Sequence, residues 1–309
     1  MDRRKFVQTG VVAGAALATG TELNSMPQAT SQRTFKLAYA PHFGMFREHG
    51  GEDLIEQLRF MRSEGFTALE DNSMKGKTPE VQQQIATEME RLGMRMGVFV
   101  AHTIGWQQNQ ANLTTGNAES REAFLTEVRE SVDVAKRVNA TWMTVVPGHV
   151  DRRLDMDYQT ANVVESLKRA CDILEPHGLV MVLEPLNTLR DHPGQFLREI
   201  PQAYLVCKAV GSPSCKILFD VYHQQITEGN LIPNMDLAWD EIAYIQTGDN
   251  PGRREPGTGE INYRNVFRHL HRKGYTGIIG MEHGNSIRGR EGERAVIDAY
   301  VAADSFEVG

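Results

Sequence analysis

The chain reads as an α/β protein of the (β/α)8 TIM-barrel class, and three observations predict it. After Phe35, strand-like apolar runs alternate with amphipathic stretches of helical period, eight of each. Four runs in the C-terminal half finish on an acid or an amide: Val180-Met-Val-Leu-Glu184, Ile217-Leu-Phe-Asp220, Ala243-Tyr-Ile-Gln246 and Ile278-Ile-Gly-Met-Glu282. By subtraction, their polar residues lie 36, 26 and 36 positions apart, about one strand and crossover helix each. The third observation excludes an open doubly wound sheet, which wants a Gly-rich phosphate turn after its first strand. Ala40-Pro-His-Phe-Gly44 is not such a turn.

Taken in order, strand 36–40 leads to helix 52–63, stopped near Gly65, and strand 68–71 to helix 79–91, stopped near Gly93. Strand 95–101 leads to helix 118–138, and strand 142–147 to helix 158–175 with Gly178 beyond it. Strand 180–184 leads to helix 200–209 and Gly211, and strand 217–220 to helix 235–241. Strand 242–247 leads to helix 263–272 and Gly274, and strand 277–282 to a last helix, 291–303. A glycine just past a helix is where a left-handed cap is expected. With no internal repeat or linker evident, residues 34–309 read as one domain.

Residues 1–33 are set aside from that domain. Asp2-Arg-Arg-Lys-Phe-Val7, followed by the mildly apolar stretch from Val11 to Thr19, resembles a twin-arginine export signal. Gln8 departs from its frequent lysine, and a basic tail without an address is the other reading. The apolar run is too short to span a membrane, so the expectation is a periplasmic or exported protein without stable membrane insertion. Cleavage would fall between Thr21 and Arg33.

About 275 residues remain, near the ~250 of a typical single barrel. A composition 40% hydrophobic and 24% charged is ordinary for a soluble domain. Net charge −7 argues against a nucleic-acid partner, which requires clustered Lys and Arg. Cys171, Cys207 and Cys215 show no metal-type spacing and read as buried free thiols, with one disulfide the alternative in an exported protein.

In a (β/α)8 barrel, strand-end residues gather at the C-terminal face. Glu184, Asp220, Gln246 and Glu282 would therefore meet there, and three carboxylates with an amide oxygen suit a hard divalent ion, Mg2+ or Mn2+. Three strand ends belong to longer phrases: Leu183-Glu-Pro-Leu-Asn187, Phe219-Asp-Val-Tyr-His-Gln224, and Gln246-Thr-Gly-Asp-Asn-Pro-Gly-Arg253 running on to Glu255-Pro-Gly-Thr-Gly-Glu-Ile-Asn262. These resemble the hydroxypyruvate isomerase family of the xylose isomerase-like barrels, densely from about residue 140 to 282.

The resemblance implies metal ligands at Glu184, Asp220, Gln246 and Glu282, with Glu184 and Glu282 also the two acid/base carboxylates. It implies substrate contacts from His223, from Arg253 at a charged or hydroxylated end, and from His102 at the end of the third strand. The implied reaction isomerises a small hydroxy-carbonyl compound: one glutamate removes a proton beside a C=O and another returns one to the neighbouring carbon. Gln246 stands where related ketose 3-epimerases carry histidine, which favours the isomerase. His283-Gly-Asn-Ser286 stands where cytoplasmic bacterial members have Tyr-Lys-Pro, which together with export leaves a ketose epimerase as the rival. A periplasmic sugar-binding protein without turnover is the reading from another class. A multi-zinc barrel nuclease would want more histidine ligands and a basic face. Self-association is a habit of the family, although no stretch marks an interface.

Blander roles stand beside these. A lone carboxylate is more often an ion-pair partner, Arg253 has Glu255 nearby, and His102 suits a satisfied core position. Glu70 ends the second strand and reads as a structural hydrogen-bond partner, with reach into the pocket the alternative. His149 lines the rim or faces solvent. Trp106 and Phe43 either cover substrate or pack on the rim, and the methionines between Met89 and Met96 read as core.

Overall fold

The structure is a computed structural model that describes residues 33–103 and 113–308. The export-signal segment and Trp106 lie outside the described residues. Among the described residues there are nine strand segments: β1 (Ala38–Ala40), β2 (Ala68–Leu69), β3 (Arg95–Met96), β4 (Val100–His102), β5 (Trp142–Val145), β6 (Val180–Leu183), β7 (Cys215–Asp220), β8 (Ile242–Gln246) and β9 (Ile278–Gly280). A seven-stranded parallel sheet runs β1-β9-β8-β7-β6-β5-β4, and β2 pairs with β3 in parallel. Parallel bridges His42↔Glu70 and Met96↔Ala140 join the two pieces, so the strands close into a barrel.

Around it run α1 (Arg47–Gly50), α2 (Leu54–Ser63), α3 (Pro79–Leu92), α4 (Ala118–Val138), α5 (Met156–Leu174), α6 (Ile200–Val210), α7 (Val221–Thr227), α8 (Leu231–Leu237), α9 (Tyr263–Arg272) and α10 (Gly289–Asp304). The long helices follow local chemistry. In α4, Asn117 Oδ1 accepts from the Glu119 and Ser120 amides at 2.8 and 3.0 Å, occupying two otherwise orphan donors. Phe124, Val128, Val132 and Ala135 recur at spacings of four and three and face the core. Asn139, at φ 54°, ends the helix in the left-handed region. Among the described residues, no helix is long and apolar enough to cross a membrane.

Two expectations need correction. The third strand is not continuous over 95–101 but breaks between β3 and β4. The Gly97 amide closes the β2–β3 ladder by donating to the Leu69 carbonyl at 2.7 Å, and a Cβ on Gly97 would overlap the Tyr244 hydroxyl reaching across the barrel. The crossover between β7 and β8 is not one helix over 235–241. It is α7, α8 and a 3-10 turn over Trp239–Glu241. Asp220 Oδ1 caps α7 through the Tyr222 amide at 2.8 Å, so the helix starts directly at the strand end. Segments of seven residues are too short to display a helical period.

The barrel interior explains the strand-end acids. Ala40, Ala68, Val98, Val182, Leu218, Tyr244 and Ile278 form one small inner cluster, separate from the larger core between strands and helices. Successive side chains on a strand point to opposite faces, so residues two further on point inward as well. Those residues are His42, Glu70, Val100, Glu184, Asp220, Gln246 and Gly280, with Glu282 two beyond Gly280. The apolar layer plugs the barrel, and the polar layer lies on it toward the C-terminal end.

Replacing Gly97 with Ala should lower stability by about 1–3 kcal/mol, the usual cost of overpacking a filled core. Urea unfolding followed by circular dichroism measures it, and an unchanged midpoint would contradict the close approach of Tyr244.

Candidate active site

Glu184, Asp220 and His223 converge, with one ligand-type atom of each lying within 4.8 Å of the others. His223 Nε2 is 3.5 Å from Asp220 Oδ2 and 3.7 Å from Glu184 Oε1. Glu282 is drawn in from the other side: Arg253 Nη2 donates to its Oε2 at 2.9 Å and to Asp220 Oδ2 at 3.3 Å. Asn72 Nδ2 donates to the other Glu282 oxygen at 2.8 Å. Gln246 is buried beside Asp220 in register, with its Nε2 donating to Glu70 Oε1 at 2.8 Å. Its Oε1 is buried without a hydrogen-bond partner.

These acids are held with too little positive charge. Burial, then the charges of Glu282 and Asp220, raise the Glu184 pKa well above the usual carboxylate range. Burial also raises Asp220, to about 7, although Arg253 pulls it down. Burial followed by the Glu282 charge raises Glu70 as well. Arg253 is the guanidinium set among them. It lies over the Tyr222 ring at 4.9 Å, and the Tyr222 hydroxyl donates to Asp191 at 2.9 Å.

The glycine-rich phrase after β8 builds the loop that presents Arg253. Asp249 Oδ2 accepts from the Gly257 and Gly259 amides at 2.8 and 2.9 Å, and Oδ1 accepts from Ile261 at 3.1 Å and Asn250 at 2.9 Å. A side chain at Gly259 would overlap the Asn250 carbonyl. Arg253 sits at φ 53°, a left-handed conformation unusual for a long side chain, and such strain persists where its surroundings over-determine it. Glu255 does not pair with Arg253. Its carboxylate accepts from the Ser286 amide at 2.9 Å and also meets the Ser286 hydroxyl.

His223 is oriented by Asn187. Asn187 Oδ1 accepts from the Arg190 and Asp191 amides, both at 3.1 Å, and these backbone groups can only donate. That fixes Nδ2 toward Asp191 Oδ2 at 2.8 Å and His223 Nδ1 at 2.6 Å. The Asn187 amide also donates to Nδ1, at 3.3 Å. Nδ1 therefore accepts, and the neutral ring carries its proton on Nε2, aimed at the carboxylates. Arg253 Nη2 lies 3.3 Å from Nε2 and would favour the opposite tautomer, but the two donors on Nδ1 outweigh it. Burial and the Arg253 charge hold the His223 pKa well below the ordinary value.

The donor set fits a divalent cation. Buried acids pushed toward protonation gain from a positive charge between them, and the unpartnered Gln246 oxygen is a neutral ligand of the type Mg2+ or Mn2+ accepts.

Residues 58–300 match the xylose isomerase-like TIM barrel family. The chain belongs to this family. A human relative, named provisionally as a hydroxypyruvate isomerase, is 30% identical over 254 residues, covering 79% of this chain and 89% of its own. The 2-oxo-tetronate isomerase of Cupriavidus necator is 28% identical over 240 residues, 77% of this chain and 89% of its own. The hydroxypyruvate isomerase of Escherichia coli is 33% identical over 162 residues, 52% and 62% of the two chains. Among solved structures, an AP endonuclease of family 2 from Brucella melitensis gives a TM-score of 0.72 at 24% identity, covering 83% of this chain and 96% of that one. The D-psicose 3-epimerase of Clostridium cellulolyticum gives 0.70 at 16%, covering 86% and 98%. At these identities the structures speak to the fold alone.

Within this family barrel, the expected site residues fall into two groups. Glu184, Asp220, Gln246, Glu282, His223 and Arg253 sit together, as described above. His102 ends β4, its Nδ1 2.8 Å from Glu127 and its Nε2 buried without a hydrogen-bond partner. His149 is buried rather than facing solvent, near Gln195 at 3.4 Å. Phe43 is partly buried against the core. The segment after Glu282 is tied down locally: His283 is buried against Tyr300, and Asn285 donates to the Met45 carbonyl at 2.9 Å. All three cysteines are buried and free. The sequence reading missed Asn72, Asp249 and the role of Asn187. Asn187 and Asp249 stood inside the quoted phrases, and Asn72 carried no such signal.

In nitrogen-resolved NMR, His223 should show an unprotonated Nδ1 and a protonated Nε2. Asn187→Leu should lose that preference and cost about 1–3 kcal/mol for the donors and acceptor it strands. An even tautomer mixture in the unaltered protein would contradict the Asn187 lock.

Proposed function

We propose that this chain isomerises a small hydroxy-carbonyl acid through an enediolate, most like the interconversion of hydroxypyruvate and tartronate semialdehyde. The observation that carries the reading is the placement of two glutamates on either side of a shared ligand pair. Glu184 follows β6 and Glu282 follows β9, while Asp220 and Gln246 end the strands between them, in the order β9-β8-β7-β6. A base on each flank of one bound substrate can take a proton from one carbon and return one to its neighbour.

Glu184, Asp220, Gln246 through Oε1, and Glu282 would hold the ion. A divalent cation bound there supplies polarisation of the carbonyl and offsets the charge developing on its oxygen. The chain does the rest. One of the two glutamates takes the proton from the carbon beside the carbonyl, and the other returns one to the former carbonyl carbon. The hydroxyl proton passes between the two oxygens, so nothing is gained or lost overall. His223 Nε2–H donates to a substrate oxygen, and Arg253, released from Asp220 and Glu282, pairs with the substrate carboxylate. Relatives named for hydroxypyruvate and 2-oxo-tetronate isomerisation support a keto-acid substrate. Export by the Arg3-Arg4 segment belongs to the same proposal and rests on sequence alone.

A second reading, a ketose epimerase, draws on the His283-Gly-Asn-Ser286 segment and the export segment. Returning the proton to the opposite face of the same carbon would epimerise a ketose with the same two glutamates.

Proton NMR in D2O with the Mg2+-loaded protein separates these. Conversion of hydroxypyruvate with deuterium uptake supports the proposal. Deuterium entering a ketose while hydroxypyruvate is untouched moves the substrate to sugars, and no exchange with either leaves a binding protein. Glu184→Gln or Glu282→Gln should each lower turnover by about 10²-fold or more, the usual share of a general acid or base. Unaltered rates in either variant would refute its assignment. Chelation should stop turnover, with Mg2+ or Mn2+ restoring it.

A further inference from the structure

We infer that Glu70, which lies outside the ligand set, is a positioning residue that decides which atom of Gln246 faces the ion. The inference rests on the metal reading above and adds a member to it. An amide side chain is a competent ligand for a hard cation only through its oxygen. Nothing in the side chain itself prefers that orientation, because a half-turn exchanges Oε1 for Nε2. Glu70 removes the ambiguity. It is 2% exposed, and both of its oxygens accept: Oε1 from Gln246 Nε2 at 2.8 Å and Oε2 from the Tyr244 hydroxyl at 2.9 Å. With Nε2 held by a carboxylate, Gln246 Oε1 is left buried and unpartnered, free to ligate. A flipped amide would set oxygen against oxygen at Glu70 and turn N–H groups toward the cation.

The surroundings are shaped to hold that carboxylate. Tyr244 rises from the apolar plug two residues before Gln246 on the same strand, so one strand both anchors Glu70 and receives its hold. Gly280, the inward residue on β9, leaves the space: a Cβ there would overlap Glu70 Oε2 and would lie 3.0 Å from Gln246 Cγ.

The test is Mn2+ binding alone, measured by isothermal calorimetry and by the electron paramagnetic resonance of free Mn2+, with urea unfolding in parallel. In Glu70→Gln the two amides can pair either way round, and Mn2+ affinity should fall by about 10–100-fold, the usual effect of losing an outer partner of a ligand. The exchanged pair, Glu70→Gln with Gln246→Glu, keeps the same charge and nearly the same volume. Its carboxylate at 246 accepts from the amide at 70 with one oxygen and offers the other to the ion, so affinity should return. Unchanged affinity in the single variant overturns the inference, as does a loss that the exchanged pair fails to recover. If the single variant does not fold, the exchanged pair decides alone: near-native affinity supports the role, and a tenfold loss removes it. Failure of the unaltered protein to bind Mn2+ overturns the metal reading itself, a different result from any of these.

Discussion

The crowding of carboxylates at the mouth of the barrel is the interaction around which this site is built. Glu70, Glu184, Asp220 and Glu282 are gathered at one end of the barrel, and Arg253 is the guanidinium set between two of them. Two like charges about 4 Å apart at an effective dielectric of about 20 oppose one another by roughly 4 kcal/mol. Burial is the larger cause of the raised pKa values of Glu184 and Asp220, and the charge of Glu282 adds to it. The barrel tolerates this crowding because the strands beneath are plugged by an apolar layer and the acids are fixed by donors: Asn72 on Glu282, Tyr222 N–H on Asp220, Tyr244 on Glu70. A further positive charge entering this group relieves the repulsion. The arrangement that is costly for the fold is thus favourable for binding a cation.

Much of this was legible because strand periodicity is a local property. Val182 and Glu184, Leu218 and Asp220, and Tyr244 and Gln246 are each two apart, so an inward apolar residue predicts an inward polar one. Eight alternating units, the span of α4, and α3 with Gly93 at its end could be read in the same way. The close approach of Tyr244 to Gly97, beside the break between β3 and β4, could not, because it is made from across the barrel. The two short helices after β7 escaped because a capped seven-residue segment has no room for a repeating face.

The site was legible in its ligand-type residues and illegible in what orients them. Gln246 and Glu70 are 176 positions apart, and Asn187 and His223 are 36 apart. Their hydrogen bonds follow from barrel closure and loop shape, neither of which leaves a mark in a single sequence. Arg253 was placed by resemblance, but the reason it reaches the acids is the Asp249-centred loop and a left-handed backbone at its own position. Asn187, fixed by two backbone amides, shows how a residue remote from the chemistry settles where a proton sits.

The most direct test of the central claim is anomalous diffraction from crystals soaked in Mn2+, collected at the manganese edge. One peak is expected at the barrel mouth within ligand distance of Glu184, Asp220, Gln246 Oε1 and Glu282, with Arg253 withdrawn from the gap between Asp220 and Glu282. A peak on His223 Nε2 that leaves Gln246 uncoordinated, or no peak at the mouth, would contradict it.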